Sequence, residues 1–189
     1  MENYLEKNYQ KLFFKIHKNL LLFVNKRIKA SINLNDLSDW GKYENFMIDI
    51  AILRNHLFEN KYLIDQFIEA NPADFISQEL SITKYWKNTI IGDFVLLKHL
   101  KYQSIFLDTK RDKIYGVKGL MEGIDALIPT YQLPMFVNTA LIPFSGRIVY
   151  DGILQASNIV IGNSYIDSFM ADYNRIKKKN GIITYFANE

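Results

Sequence analysis

The sequence predicts an α+β protein: a helical N-terminal half packed on a small, mostly antiparallel sheet or partial barrel, with one late helix. Three observations carry this. Of nine glycines and four prolines, only Gly41 and Pro72 precede residue 88, so the turn-forming residues concentrate in the second half. Before that point apolar residues recur at helical steps of three and four. After Lys87 the period shifts towards two, and the stretch over 135–154, M-F-V-N-T-A-L-I-P-F-S-G-R-I-V-Y-D-G-I-L, reads as strand, tight turn and strand.

The first helix is expected over 3–30, with Leu5, Tyr9, Leu12, Ile16, Leu20 and Phe23 on one face and Lys7, Lys11, Lys15 and Lys18 on another. Asp36 or Ser38 can cap the next helix, because their oxygens accept the free amides of a first turn. That second helix is expected over 40–58 and a third over 62–70, which Asn71-Pro72 stops. A fourth is expected from a Ser77 cap to Trp86, with Glu79 near its positive end.

Strands are expected over 90–100, 103–107 and 113–117, the last two joined by the charged turn D-T-K-R-D of 108–112. Residues 94–97 are apolar on both faces, which predicts a central strand. Residues 119–128 form a short helix or loop before Pro129. In the long hairpin, Ser145-Gly146 suits a two-residue reversal, and Pro143 belongs at an edge or bulge. A short strand over 158–161, a helix from 164 to about 179 capped at Asn180-Gly181, and a last strand over 182–186 complete the chain. The expected organisation is a single domain over 1–189, with a helical half over 1–88 and a β-rich half over 89–189.

Composition narrows the chemistry. With no cysteine, disulfides, thiolate metal sites and cysteine nucleophiles are excluded. The best apolar run, L-L-L-F-V over 20–24, is flanked by Lys18 and Lys26 and falls far short of the ~20 residues of a membrane span. A cytoplasmic protein without a membrane span is the expectation. The net charge of +3 conceals an asymmetry: residues 1–30 carry seven basic and two acidic side chains, so the rest of the chain is slightly acidic.

No recognisable catalytic constellation emerges. His17, His56 and His99 lie far apart, without helical ligand spacing, so neither a metal nor a cofactor is expected. Ser145 sits in P-F-S-G-R, which is not a nucleophile elbow. Gly162 precedes a helix but has no glycine-rich phosphate motif around it. Asp93, Asp125 and Asp151 are the acids to consider, and Asp151, next to Tyr150, is the most interesting. Its plainer reading is an Asp-Gly turn ending a strand.

Three functional readings fit these residues. The leading one is a non-enzymatic protein that binds another protein. Its surface would involve Lys7, Lys11, Lys15 and Lys18 on the first helix, or Ser145, Gly146 and Arg147 at the hairpin, beside an exposed aromatic patch. A second is nucleic-acid binding through Lys98, Lys101, Tyr102, Lys110, Arg111 and Lys113, where cations alternate with rings on strands. A third is an enzyme with an unrecognised site at Tyr150 and Asp151. A homo-oligomer is compatible with all three.

Certain words in the chain carry a resemblance: N-P at 71–72, W-K at 86–87, Y-G-V at 115–117, L-P at 133–134, L-I-P-F at 141–144, S-G-R-I-V-Y-D-G at 145–152 and G-I-I-T at 181–184. With these the chain resembles a group of uncharacterised bacterial proteins sharing a P-F-x-G-x-I-x-Y-D-G hairpin. Some of that group carry a small C-terminal cysteine-containing metal motif, which this cysteine-free chain lacks. The resemblance implies a shared fold and no particular activity.

Overall fold

A computed structural model describes residues 2–186. The protein is α+β, and the chain divides into two compact units. One is Asn8–Thr89; the other combines residues 2–7 with 90–186.

The helical unit holds most of α1 (Lys7–Ile28), then α2 (Phe46–Glu59), α3 (Tyr62–Ala70) and α4 (Ser77–Tyr85). Helix α1 begins four residues later than its apolar period suggests. Leu5 N donates to Gly119 O (3.1 Å) and Gly119 N to Asn3 O (2.9 Å), so residues 3–5 are extended along the sheet instead. Asn25, buried at the end of α1, ties down the following loop: its amide donates to Ser31 O and Leu34 O, both at 2.8 Å. Asp36 accepts from Ser38 N (2.6 Å) and caps only a short 3-10 turn, Leu37–Asp39. Helix α2 therefore starts at Phe46 and not at 40, after left-handed Gly41 and Asn45 (φ 74° and 63°) have broken helical geometry. Asn71, also left-handed, ends α3. Ser77 is the first residue of α4 and not its cap; Glu79 Oε2 accepts from Ile76 N instead (3.2 Å).

The second unit is built on β1 (Ile90–Leu100), β2 (Gln103–Asp108), β3 (Ile114–Lys118), β4 (Met135–Phe144), β5 (Arg147–Tyr150) and β6 (Gln155–Ala156). Helix α5 (Ile124–Leu127) lies between β3 and β4, and α6 (Asn163–Asn180) follows β6. Strand order is β1-β2-β3-β5-β4-β6, and β1 also pairs with β4, so five strands close into a ring. Among these six strands all pairings are antiparallel except β3–β5, where Val117 meets Ile148 and Lys118 meets Val149. Long β1 closes the ring because it serves two neighbours, β2 from Phe94 onward and β4 from Ile90 to Leu96. Of its buried centre, Phe94 to Leu97, residues Phe94 to Leu96 accordingly pair with a strand on each side, and Leu97 sits at a break in the β2 register.

Ser145 (φ 49°) and Gly146 (φ 74°) make the tight reversal between β4 and β5. Pro143 pairs with Ile148 on one side and lies beyond the last β1 partner, Leu141, on the other, so its missing amide costs the sheet no bond. Two expected strands are absent. The pairing near 158–161 is made instead by Gln155 and Ala156 on β4, and residues 157–162 are irregular. Of 182–186, only Ile183 bridges to Tyr115, giving and taking one bond with Gly116 and Ile114 (2.8 and 2.9 Å).

Alternate residues of the ring face different surroundings. Phe94, Phe106 and Tyr115 meet edge to face on one side, with Phe94 6.1 and 6.0 Å from the other two ring centres. On the other, Val95, Leu97, Ile105, Leu107 and Ile114 are covered by Phe169, Tyr173 and Ile176 of α6. Among the described residues, no helix is long and apolar enough to cross a membrane.

Candidate functional site

The basic residues of β1 to β3 do not form one surface. Lys101 and Tyr102 occupy the β1–β2 turn, whereas Lys110, Arg111 and Lys113 occupy the β2–β3 turn. These turns lie at opposite ends of β2, six residues long and so about 20 Å apart. The face between them carries α6. Lys98 Nζ lies 3.9 Å over the Tyr173 ring. Arg111 pairs with Asp172, donates to Ser168 Oγ and lies 5.0 Å from the Phe169 ring centre. Five-stranded barrels that bind oligonucleotides use the outer face of their second and third strands as the platform. Here that face is occupied by the protein's own helix. Lys118, on β3, is buried and donates to the Glu2 carbonyl; burial and the Arg147 charge lower its pKa.

Asp151 is buried, at the end of β5. Its Oδ1 accepts from Ile153 N (3.1 Å), the local side-chain turn that Asp-Gly pairs favour. Thr139 Oγ1 lies 3.3 Å from the same oxygen and 2.7 Å from Ile153 O. One hydroxyl proton serves one acceptor at a time, and the shorter distance selects the carbonyl. The neighbouring Tyr150 hydroxyl is pushed up to about 12 by burial and by the charges of Asp151 and Glu122, so it stays protonated at neutral pH. This arrangement secures the chain after β5.

Two acids that the sequence presented only as turn residues are brought together in the β2–β3 turn. Asp108 Oδ1 accepts from the amides of Asp112 (2.9 Å) and Lys113 (3.0 Å). Hydrogen bonding to Asp108, then burial and the Asp108 charge, raises the Asp112 pKa. The spacing of four within a D-x-x-x-D turn was the available signal. A cavity of about 350 Å³ lies beside this turn, between Ile90–Phe94 and residues 108–115. A second, of about 530 Å³, adjoins it at Asp93 and Thr109 and extends past Phe136, Asn138 and Ile159. Asp93 accepts from Asn138 Nδ2 there (2.8 Å). Among the described residues, no group of three or more histidines and acids is arranged to hold a metal ion.

The four lysines of α1 divide. Lys7 and Lys11 are exposed. Lys15 pairs with Glu79 (2.7 Å) and lies 4.6 Å over the Phe75 ring, while Lys18 lies 5.3 Å over Trp40. At the hairpin, Gly146 is exposed and Ser145 and Arg147 are half-buried, but flanking Phe144 and Ile148 are buried. Among the described residues, neither α1 nor the hairpin exposes a large apolar side chain. The exposed aromatic patch expected at those places is therefore not found there.

Exposed apolar surface lies elsewhere. On α2, Ile50, Leu53, Leu57 and Phe58 are buried, as their spacing requires. Ile48 and Ile52 on the opposite side remain 58% and 47% exposed, and Met47 on the flank of the first turn 55%, with half-buried Ala51 beside them. The first half of the outward side is thus apolar and uncovered, before exposed Asn55 and Glu59 continue the same stripe. The three-and-four spacing of Ile50, Leu53 and Leu57 marks the buried side of α2, and no local signal marks Ile48 and Ile52 as uncovered.

Helix α1 carries a buried titratable group, His17. Its ring stacks on Phe13 at 5.4 Å and lies 6.1 Å from Trp86 and 6.2 Å from Trp40. Neither ring nitrogen has a hydrogen-bond partner among the described residues. Burial, then the charges of Arg54 and Lys18, lowers its pKa to about 4, so it is neutral at pH 7. It behaves as one more ring of an aromatic core.

No family model, curated protein or solved structure matches this chain.

Proposed function

We propose that this is a non-enzymatic cytoplasmic protein that binds a partner protein, and that it belongs to the bacterial group sharing its P-F-x-G-x-I-x-Y-D-G hairpin. The observation that supports this is the uncovered apolar face of α2 formed by Met47, Ile48 and Ile52. A surface helix is ordinarily apolar on one stripe only, and contiguous exposed apolar surface marks interaction sites. Glu44 and Glu59 are exposed before and at the end of the helix, so the complementary surface is an apolar groove with basic groups at its rim.

Affinity capture from a native cell extract, with and without nuclease, tests the reading. The wild-type chain should retain a protein in both arms. Ile48→Glu with Ile52→Glu, which keeps good helix formers at both positions, should abolish retention while circular dichroism stays unchanged. Reversing Lys101 and Lys113 should leave it intact. Retention that nuclease removes and those reversals weaken would assign the basic turns a nucleic-acid ligand and overturn the proposal.

A further inference from the structure

Between β6 and α6 the chain reads S-N-I-V-I-G over 157–162. These residues have strand composition but no strand partner. Ser157 N donates to Phe136 O (2.8 Å) and so extends the β4–β6 pairing by one step. Beyond it, Ile159 N reaches only the Ser157 hydroxyl, and the amides of Asn158, Val160 and Ile161 have no partner among the described residues. Ile161 packs against the core under α6, whereas Ile159, beside the 530 Å³ cavity, is 64% exposed and Val160 93% exposed. Strand β6 is the open edge of the sheet.

Proteins protect such edges with charge, proline or a bulge. From Ile153 to Gly162 this edge contains no charged residue and no proline. We infer that residues 158–162 pair antiparallel with the same residues of a second copy, about a two-fold axis at Val160. The symmetry selects this occupant. A two-fold sets Val160 against Val160 and Ile159 against Ile161, and a charged edge would repel its own mate. This edge carries no charge to repel, and the pairing covers its most exposed apolar side chain. It also supplies partners to the amides of Asn158 and Val160, which share the outer side of an extended chain because Ser157 N, one residue earlier, points to β4.

The absence of cysteine allows a direct test. Val160→Cys places two thiols opposite one another, within disulfide range, in the proposed pair. Under mild oxidation it should form a covalent dimer much faster than Tyr131→Cys, a control at another highly exposed position of the same unit. By sedimentation the wild-type chain should be dimeric and Val160→Lys monomeric. Mixing Val160→Lys with Val160→Glu should restore a dimer, because opposite charges then face each other. A monomeric wild type, or equal crosslinking of the two cysteine variants, would overturn the inference. So would a dimer that survives Val160→Lys. Ile48→Glu with Ile52→Glu should leave the dimer unchanged, which separates this outcome from that of partner binding through α2.

Discussion

Arg111 and Asp172 form an ion pair that joins the β2–β3 turn to α6. Arg175 completes the clamp, donating to Asp172 Oδ1 (2.8 Å) and to Arg111 O (2.9 Å). Burial disfavours the charged carboxylate, but the hydrogen bond from Arg175 and the charge of Arg111 outweigh it and hold the Asp172 pKa below its ordinary value. Asp172→Asn should cost at most about 1 kcal/mol at neutral pH, since both partners retain some solvent. A depressed carboxyl pKa stabilises fully above the unfolded value and is lost as pH falls through the folded one. Urea unfolding of wild type and variant should therefore differ at pH 7 and converge in acid.

His17 sets a different pH dependence. Its folded pKa, about 4, lies below the ordinary 6.5. As pH falls through that ordinary value the unfolded chain takes up a proton that the folded chain refuses. Stability is full above it and declines towards pH 4, by about 3 kcal/mol for a shift of this size. Replacing His17 with Phe should flatten the urea midpoint between pH 7 and pH 4.5. An unchanged slope would show that His17 is not the titrating group.

Gly119 is held by backbone. A Cβ there would lie 1.8 Å from the Glu122 carbonyl oxygen, and the residue's own amide and carbonyl bond Asn3 and Leu5. Gly119→Ala must displace main chain and should cost roughly 2–4 kcal/mol. Hydrogen exchange at the Leu5 amide should accelerate with it, because that bond depends on the position of Gly119 O.

Thr139 is fully buried in β4, and its hydroxyl donates to Ile153 O. Thr139→Val keeps the shape and removes the donor, leaving a buried carbonyl unsatisfied. The expected loss is about 1–3 kcal/mol, with Thr139→Ser milder. Equal stability of valine and threonine in thermal unfolding would show that the hydroxyl contributes nothing.

The legible elements were those with a local signal at each end. Helix α3 runs over Tyr62–Ala70 as expected because Asn71-Pro72 stops it. The β4–β5 hairpin formed because Ser145-Gly146 tolerates positive φ. The misread segments were those whose local preference a distant partner overrode. Residues 3–5 continue the helical pattern of α1 but pair with Gly119. Residues 158–161 have strand composition but meet no strand, because the place beside β4 is taken by Gln155 and Ala156. At the candidate sites, Arg111 reads as an exposed cation until Asp172, 61 positions later, is placed beside it.

By itself the sequence determined the α+β class, the order of most elements, the tight hairpin and the exclusion of cysteine chemistry. These arise from φ preferences, missing amides and side-chain periods, which act over a few neighbouring residues. Only the tertiary structure decided that β1 closes the ring on β4, that β3 and β5 run parallel, and that α6 covers the basic strands. It alone showed which apolar residues of α2 stay wet. Those outcomes depend on which distant surfaces exclude water together, and no short stretch of chain contains both halves of such a contact.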